Sequence, residues 1–151
     1  MPLFSCVAVG GTFDRLHEGH KVLLRKAFQV GRKVVIGVAT EKLLGGKARR
    51  ELIYPYERRV GDIKKFLSSE GFLERAELVP ISDRFGTTAD DARIEALVVS
   101  KETASVVPEI NQARKKKGLR PLLPVVIEMV LDREGHPIRS TKLREMEGKQ
   151  K

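Results

Sequence analysis

The sequence predicts an α/β fold: a single doubly wound domain with a five-stranded parallel sheet. Two observations carry this expectation. Short apolar, mostly β-branched runs alternate along the chain with longer segments of helical periodicity, which implies a parallel sheet covered on both faces. Glycine, proline and polar clusters punctuate these segments at short intervals, with no internal repeat and no interdomain linker. In such folds ligands bind beyond the carboxyl ends of the strands, where the strand order reverses.

Residues 4–9 read as a buried first strand, followed by the glycine pair Gly10-Gly11, a tight turn in residues 12–20 and a helix over residues 19–30. Residues 33–38 form a second β-branched run behind Gly31. Residues 42–51, basic and carrying Gly45-Gly46, read as a loop. Pro55 marks the start of a helix over residues 56–67, and residues 76–81 form a third strand. Residues 82–92 are polar loop, 96–99 a fourth strand, and 103–117 a helix stopped by Gly118. A fifth strand is expected over 123–131, a turn over 132–135 and a short helix from Ser140. One domain over residues 1–148 and a frayed tail over 149–151 complete the layout.

The 151 residues are 41% hydrophobic and 32% charged, which places the chain among globular proteins with a real core. Its single cysteine, Cys6, falls on the first strand and reads as a small buried apolar residue, which fits a reducing, cytoplasmic setting. No apolar stretch is long enough for a membrane span, and no signal-peptide pattern opens the chain. The net charge of +9 favours anionic partners such as nucleotides or phosphorylated metabolites. Aromatics at 5%, with no Trp, argue against a stacking platform for single-stranded nucleic acid. Abundant Lys, Arg and Glu also suit a heat-adapted protein.

The most informative stretch is residues 12–20, Thr-Phe-Asp-Arg-Leu-His-Glu-Gly-His. Two of the three histidines, His17 and His20, fall three residues apart where the first helix begins. Helix N-termini present unpaired N–H groups and a partial positive charge, so imidazoles and a threonine placed there suit phosphate. Two other readings stand beside this one: a plain helix cap with solvated imidazoles, and a metal pair. The metal reading is weakened by the i, i+3 spacing, where zinc helices use i, i+4, and by the lack of a Cys cluster.

A P-loop, a Gly-x-Gly-x-x-Gly turn and a nucleophile elbow are all missing, so phosphate is held by other means. A second cluster supplies them. In residues 138–144, Ile-Arg-Ser-Thr-Lys-Leu-Arg, Ser140 or Thr141 can cap a helix whose N-terminus, with Arg139, would wrap a polyphosphate, and Lys142 or Arg144 would add charge. The plainer alternative is an ordinary capped basic helix.

Together the two segments carry a resemblance. Gly11-Thr12-Phe13-Asp14 with His17-x-Gly19-His20 resembles the signature of the nucleotidyltransferase superfamily, and residues 139–144 look like its second phosphate motif. Residues 97–103, Leu-Val-Val-Ser-Lys-Glu-Thr, and the strand spacing are similar to the phosphopantetheine adenylyltransferases of the archaeal and eukaryotic type. The resemblance covers nearly the whole chain. It implies a Rossmann-like domain that moves AMP from ATP to 4′-phosphopantetheine, with Mg²⁺ accompanying the nucleotide and no metal site of the protein's own. It further implies His20 at the α-phosphate, His17 at the ATP phosphates and Thr12 at the acceptor phosphate. Lys42 would neutralise acceptor and α-phosphate charge, with Lys47 as the alternative. Arg139, Ser140 and Thr141 would hold the β- and γ-phosphates. Gly10, Gly11 and Gly19 would permit close backbone approach, and Glu102 would touch the nucleotide.

The chain departs from the bacterial enzymes in carrying Ser100-Lys101-Glu102-Thr103 where they have an arginine-rich turn, so acceptor and oligomer contacts of the bacterial kind do not transfer. A monomer is favoured, with no membrane or nucleic-acid partner. Nicotinamide mononucleotide or glycerol phosphate as acceptor stays open, as does a non-catalytic RNA-binding module. The His-x-Gly-His logic is shared with class I aminoacyl-tRNA synthetases, but the chain is too short to add an anticodon-binding domain.

Overall fold

The computed structural model describes residues 2–46, 52–83 and 85–128. Five parallel strands, β1 (Phe4–Gly11), β2 (Gly31–Ala39), β3 (Ala76–Ile81), β4 (Ala96–Ser100) and β5 (Leu123–Ile127), form one sheet in the order β3-β2-β1-β4-β5. Three helices connect them: α1 (Glu18–Val30), α2 (Tyr56–Glu70) and α3 (Val106–Lys116). Strand order reverses between β1 and β4, so the chain leaves β1 at the switch point of a Rossmann-type sheet.

Strand alternation divides the core. Val7 and Val9 of β1, Val34, Ile36 and Val38 of β2, and Ala96 and Val98 of β4 face one side, where Leu24, Ala27 and Phe28 of α1 and Ile63, Phe66 and Leu67 of α2 cover them. Cys6, Ala8, Val35, Leu97 and Val99 face the other side with Val107 and Ile110 of α3. Strands buried on both faces need near-continuous apolar sequence, which is why the runs were visible as strands. Cys6 is buried and free, and burial pushes its thiol pKa up.

Four expectations are refined. The first strand runs two residues past Val9. Gly10 and Gly11 continue β1, opposite Gly37 and Val38 of β2, because their backbone groups complete that ladder. The helix expected from Thr103 begins at Val106. Thr103 N–H donates to the Ser100 carbonyl, and the Thr103 hydroxyl accepts from Ser100 N–H at 3.2 Å, so a tight turn precedes the helix. Gly118 does stop α3, in left-handed backbone at φ 74°, where its N–H donates to the Lys115 carbonyl. The two expected loops each tighten into a 3₁₀ turn, Leu43–Gly46 and Gly86–Ala89. The fifth strand is described to Ile127; the expected turn and helix beyond it lie outside the described residues.

Leu24 is fully buried between α1 and the sheet. Leu24→Ala is expected to destabilise the protein by about 2–5 kcal/mol, as core truncations do. Urea unfolding followed by circular dichroism measures this.

Candidate active site

Beyond β1 the backbone turns sharply. Phe13 and Arg15 both take left-handed conformations, at φ 53° and 48°. For non-glycine residues that conformation is costly and persists only when the surroundings enforce it. The surroundings do. Asp14 is fully buried and accepts from Tyr54 N–H at 2.9 Å through Oδ1 and from Arg15 Nη1 at 2.5 Å through Oδ2. Arg15 Nη1 also donates to the Leu52 carbonyl at 2.9 Å. The guanidiniums of Arg15 and Arg58 lie over the Tyr54 ring, 4.1 and 3.7 Å from its centroid. Phe13, 1% exposed, is driven into the α1–α2 core.

The turn delivers the two histidines to the start of α1. His17 is the N-cap, and its Nδ1 accepts from Gly19 N–H at 3.1 Å. His20, at the third helical position, returns the favour: its Nδ1 accepts from His17 N–H at 3.3 Å. This is a capping box built from imidazoles in place of hydroxyl and carboxylate. The rings stack, with centroids 3.7 Å apart and planes 19° from parallel, and Phe13 lies 5.4 Å from the His20 ring. Gly19 is required by space. A Cβ there would stand 2.9 Å from His17 Cε1.

The cap fixes the chemistry of both rings. A ring nitrogen that accepts a hydrogen bond carries no proton, so each neutral imidazole holds its proton on Nε2 and presents an N–H donor there. Burial pushes the His20 pKa down to about 3, with the neighbouring His17 adding to the drop and Asp14 opposing it. Burial lowers His17 as well. The helix start therefore offers two neutral donors beside its own unpaired N–H groups, a combination that suits phosphate oxygens. The plain-cap reading and the phosphate reading are thus two uses of one pair, with Nδ1 serving the cap and Nε2 left for a ligand.

A cavity of about 400 Å³ opens at the carboxyl ends of the central strands. Gly10, Gly11 and Thr12 from β1 and its turn, Gly37 and Ala39 of β2, Ile81 of β3 and Val99 of β4 contribute to its walls. Leu43 and Leu44 close one side, and Phe85, Thr87, Thr88 and Thr103 another. Thr12 belongs both to the cavity and to the turn that leads to the histidines. Lys42 is exposed in the segment just before Leu43, and Glu102 is exposed in the turn after β4. Lys47, Arg139, Ser140 and Thr141, together with Lys142 and Arg144, lie outside the described residues. Among the described residues no three His, Cys, Asp or Glu side chains gather to hold a metal ion.

Two functional-looking arginines escape a reading by composition. Arg59 is fully buried in α2: its Nη1 donates to the carbonyls of Thr12 at 2.9 Å and Ala39 at 2.7 Å, and its Nε to that of Tyr54 at 2.8 Å. Arg114, 1% exposed in α3, donates to the carbonyls of Thr88, Asp91, Ile94 and Arg120, and so fixes the segment that carries Thr87 and Thr88. The sequence does hold a signal for both. Arg59 occupies the apolar stripe it shares with Ile63, Phe66 and Leu67, and Arg114 the stripe of Val107 and Ile110. A charge on a helix's buried stripe points to a bonding task.

The family model described as cytidylyltransferase-like matches residues 8–146, a span that holds both motifs. The chain belongs to the cytidylyltransferase-like family. Within this family it is 46% identical to a phosphopantetheine adenylyltransferase of Methanopyrus kandleri, over 93% of this chain and 89% of that one. A phosphopantetheine adenylyltransferase of Pyrococcus abyssi is 44% identical over 95% and 91% of the two chains. Among solved structures, a protein of unknown function from Archaeoglobus fulgidus superposes with a TM-score of 0.72 at 33% identity, covering 88% of this chain and 98% of that one. The resemblance carried by the motifs is therefore one of family.

Two outcomes are expected. Gly19→Ala pushes on the His17 ring and should weaken ATP binding about tenfold, the worth of one well-placed hydrogen bond, with the fold intact; isothermal calorimetry measures it. Both histidine pKa values are lowered, so as pH falls below the ordinary 6.5 the unfolded chain takes up protons that the folded site refuses. Stability should therefore drop from pH 6.5 toward about 3, and substitution of His20 by Gln should remove part of that slope in pH-dependent thermal melts.

Proposed function

We propose that this chain is a pantetheine-phosphate adenylyltransferase of coenzyme A biosynthesis, moving AMP from ATP to 4′-phosphopantetheine and releasing dephospho-coenzyme A and pyrophosphate. The observation that carries the chemistry is the pair of Nε2–H donors at the start of α1, held by their own reciprocal cap at the switch point of the sheet. The choice of acceptor rests on the curated relatives of that name, which match nearly end to end.

The reaction needs little from the protein beyond placement. An oxygen of the acceptor phosphate attacks the ATP α-phosphorus in line. A new P–O bond forms as the bond to the bridging oxygen of pyrophosphate breaks, and that oxygen leaves with the electron pair. The acceptor is already an anion and needs no strong base. The energetic demands are to hold two polyanions together and to stabilise charge that grows on the α-phosphoryl and pyrophosphate oxygens. His20 Nε2–H serves the α-phosphoryl oxygen, and His17 Nε2–H the neighbouring phosphates. Thr12, on the cavity side of the turn, takes the acceptor phosphate, and the largely apolar cavity receives the arm behind it. Gly10 and Gly11 keep that wall thin enough for close approach. Lys42, with Lys47 as the alternative, supplies positive charge to acceptor and α-phosphate. Arg139, Ser140 and Thr141 complete the account at the β- and γ-phosphates, and Glu102 at the nucleotide.

Magnesium fits this reaction as the partner of the nucleotide. Asp14, the carboxylate in the turn, is already bonded to Tyr54 N–H and Arg15, so the described residues offer no carboxylate cage. Mg²⁺ would bind the ATP phosphates, neutralising part of their charge. No helix among the described residues is long and apolar enough to cross a membrane.

Pyrophosphate release from MgATP tests the acceptor, with 4′-phosphopantetheine, nicotinamide mononucleotide and glycerol 3-phosphate offered in parallel. Release with 4′-phosphopantetheine alone is expected. Release only with another acceptor would keep the chemistry and discard this substrate, and salt-sensitive RNA binding with no release at all would favour the binding module. His20→Ala should lower kcat about 10²–10³-fold, the usual cost of an oxyanion donor, and leave the KM for ATP within about threefold. An equal loss in kcat and ATP affinity would reassign His20 to ground-state binding.

A further inference from the structure

Nothing in the resemblance or in the named relatives gives Arg59 a task, yet it joins the pieces of the site. Its guanidinium is fully buried and bridges three chain segments: the Thr12 carbonyl in the turn after β1, the Ala39 carbonyl at the end of β2, and the Tyr54 carbonyl ahead of α2. Tyr54 in turn donates its N–H to Asp14, so the Thr12–Asp14 turn is tied to the segment before α2 from both sides. Glu41, two residues beyond Ala39 and next to Lys42, accepts from Tyr56 N–H at 3.0 Å and lies 3.8 Å from Arg59 Nη2. One side chain therefore sets the distance between the turn that carries Thr12 and the segment that carries Lys42.

We propose that Arg59 is a positioning residue of the transfer reaction, holding the Thr12 turn and the Lys42 segment at the one spacing that lets acceptor phosphate and α-phosphate meet in line. This rests on the adenylyltransferase reading above. A planar fork with fixed donor directions is needed to reach three carbonyls at once. A lysine ammonium keeps the charge and can satisfy some of these carbonyls, but it cannot reproduce the fork. Displacement of reacting groups by about 1 Å costs on the order of 10²-fold in rate.

The test compares wild type, Arg59→Lys and Arg59→Gln with Arg75→Met. Arg75 makes a similar clamp, on the carbonyls of Phe28, Gly31 and Arg32, at the far end of β2 from the site. Each protein is assayed well below its own melting midpoint for kcat and for both KM values. Arg59→Lys is expected to stay folded and to lose about 10- to 100-fold in kcat, with both KM values within about threefold. Arg59→Gln should lose at least as much. Arg75→Met should melt at a lower temperature with kcat unchanged. Wild-type kcat in folded Arg59→Lys or Arg59→Gln would overturn the proposal, as would failure of both variants to fold, which would assign Arg59 to stability alone. A wild type inactive with 4′-phosphopantetheine would instead overturn the adenylyltransferase reading.

Discussion

Everything in this site depends on how the chain leaves β1. Between Gly11 and His17 the backbone must pass from an extended strand at the centre of the sheet into a helix packed on one face. It does so with two non-glycine residues, Phe13 and Arg15, at positive φ. Each such residue costs on the order of 1–2 kcal/mol. The cost is offset by burial of the Phe13 ring and by Asp14, which bonds Arg15 on one oxygen and the Tyr54 backbone on the other. A turn with glycine at these positions would be easier to form and easier to move. The one present is held from several sides, so the start of α1 has a defined place relative to β2 and α2.

That rigidity explains the state of the histidines. The same imidazoles that could bind a ligand are used to finish the helix. Each satisfies one of the N–H groups orphaned at the N-terminus through Nδ1, and this leaves Nε2–H facing away from the cap. Burial keeps both rings neutral, and at His20 the neighbouring His17 adds to the effect. A neutral donor suits a reaction in which charge shifts between oxygens, because it can stabilise the growing charge without holding the product pyrophosphate as strongly as a fixed cation would. The fixed positive potential comes from elsewhere: Arg59 behind the turn, and the basic residues of a chain with net charge +9.

Much of this was legible in the sequence. The strands β1, β2 and β4 are continuous apolar runs because both faces are covered, and such runs stand out against amphipathic helices. The histidine pair stood out because histidine is scarce and spaced at one helical turn. What stayed hidden was the tertiary part. The turn in residues 12–20 was visible, but not its backbone: Phe13 and Arg15 take a positive φ that only their neighbours enforce. Arg59 sits beside Glu57 and Arg58, and its burial follows from three carbonyls contributed by residues 12, 39 and 54. No local pattern encodes that convergence, although the position of Arg59 on the α2 apolar stripe hints at it.

The cap presets both histidines as neutral donors on Nε2. Nitrogen-15 NMR of histidine-labelled protein, free and bound to a non-hydrolysable ATP analogue with Mg²⁺ at neutral pH, tests it most directly. Both rings are expected to show a protonated Nε2 and an unprotonated Nδ1 in each state, with the Nε2 resonances moving when the analogue binds. A proton on Nδ1 in the free protein, or Nε2 resonances indifferent to the analogue, would contradict it.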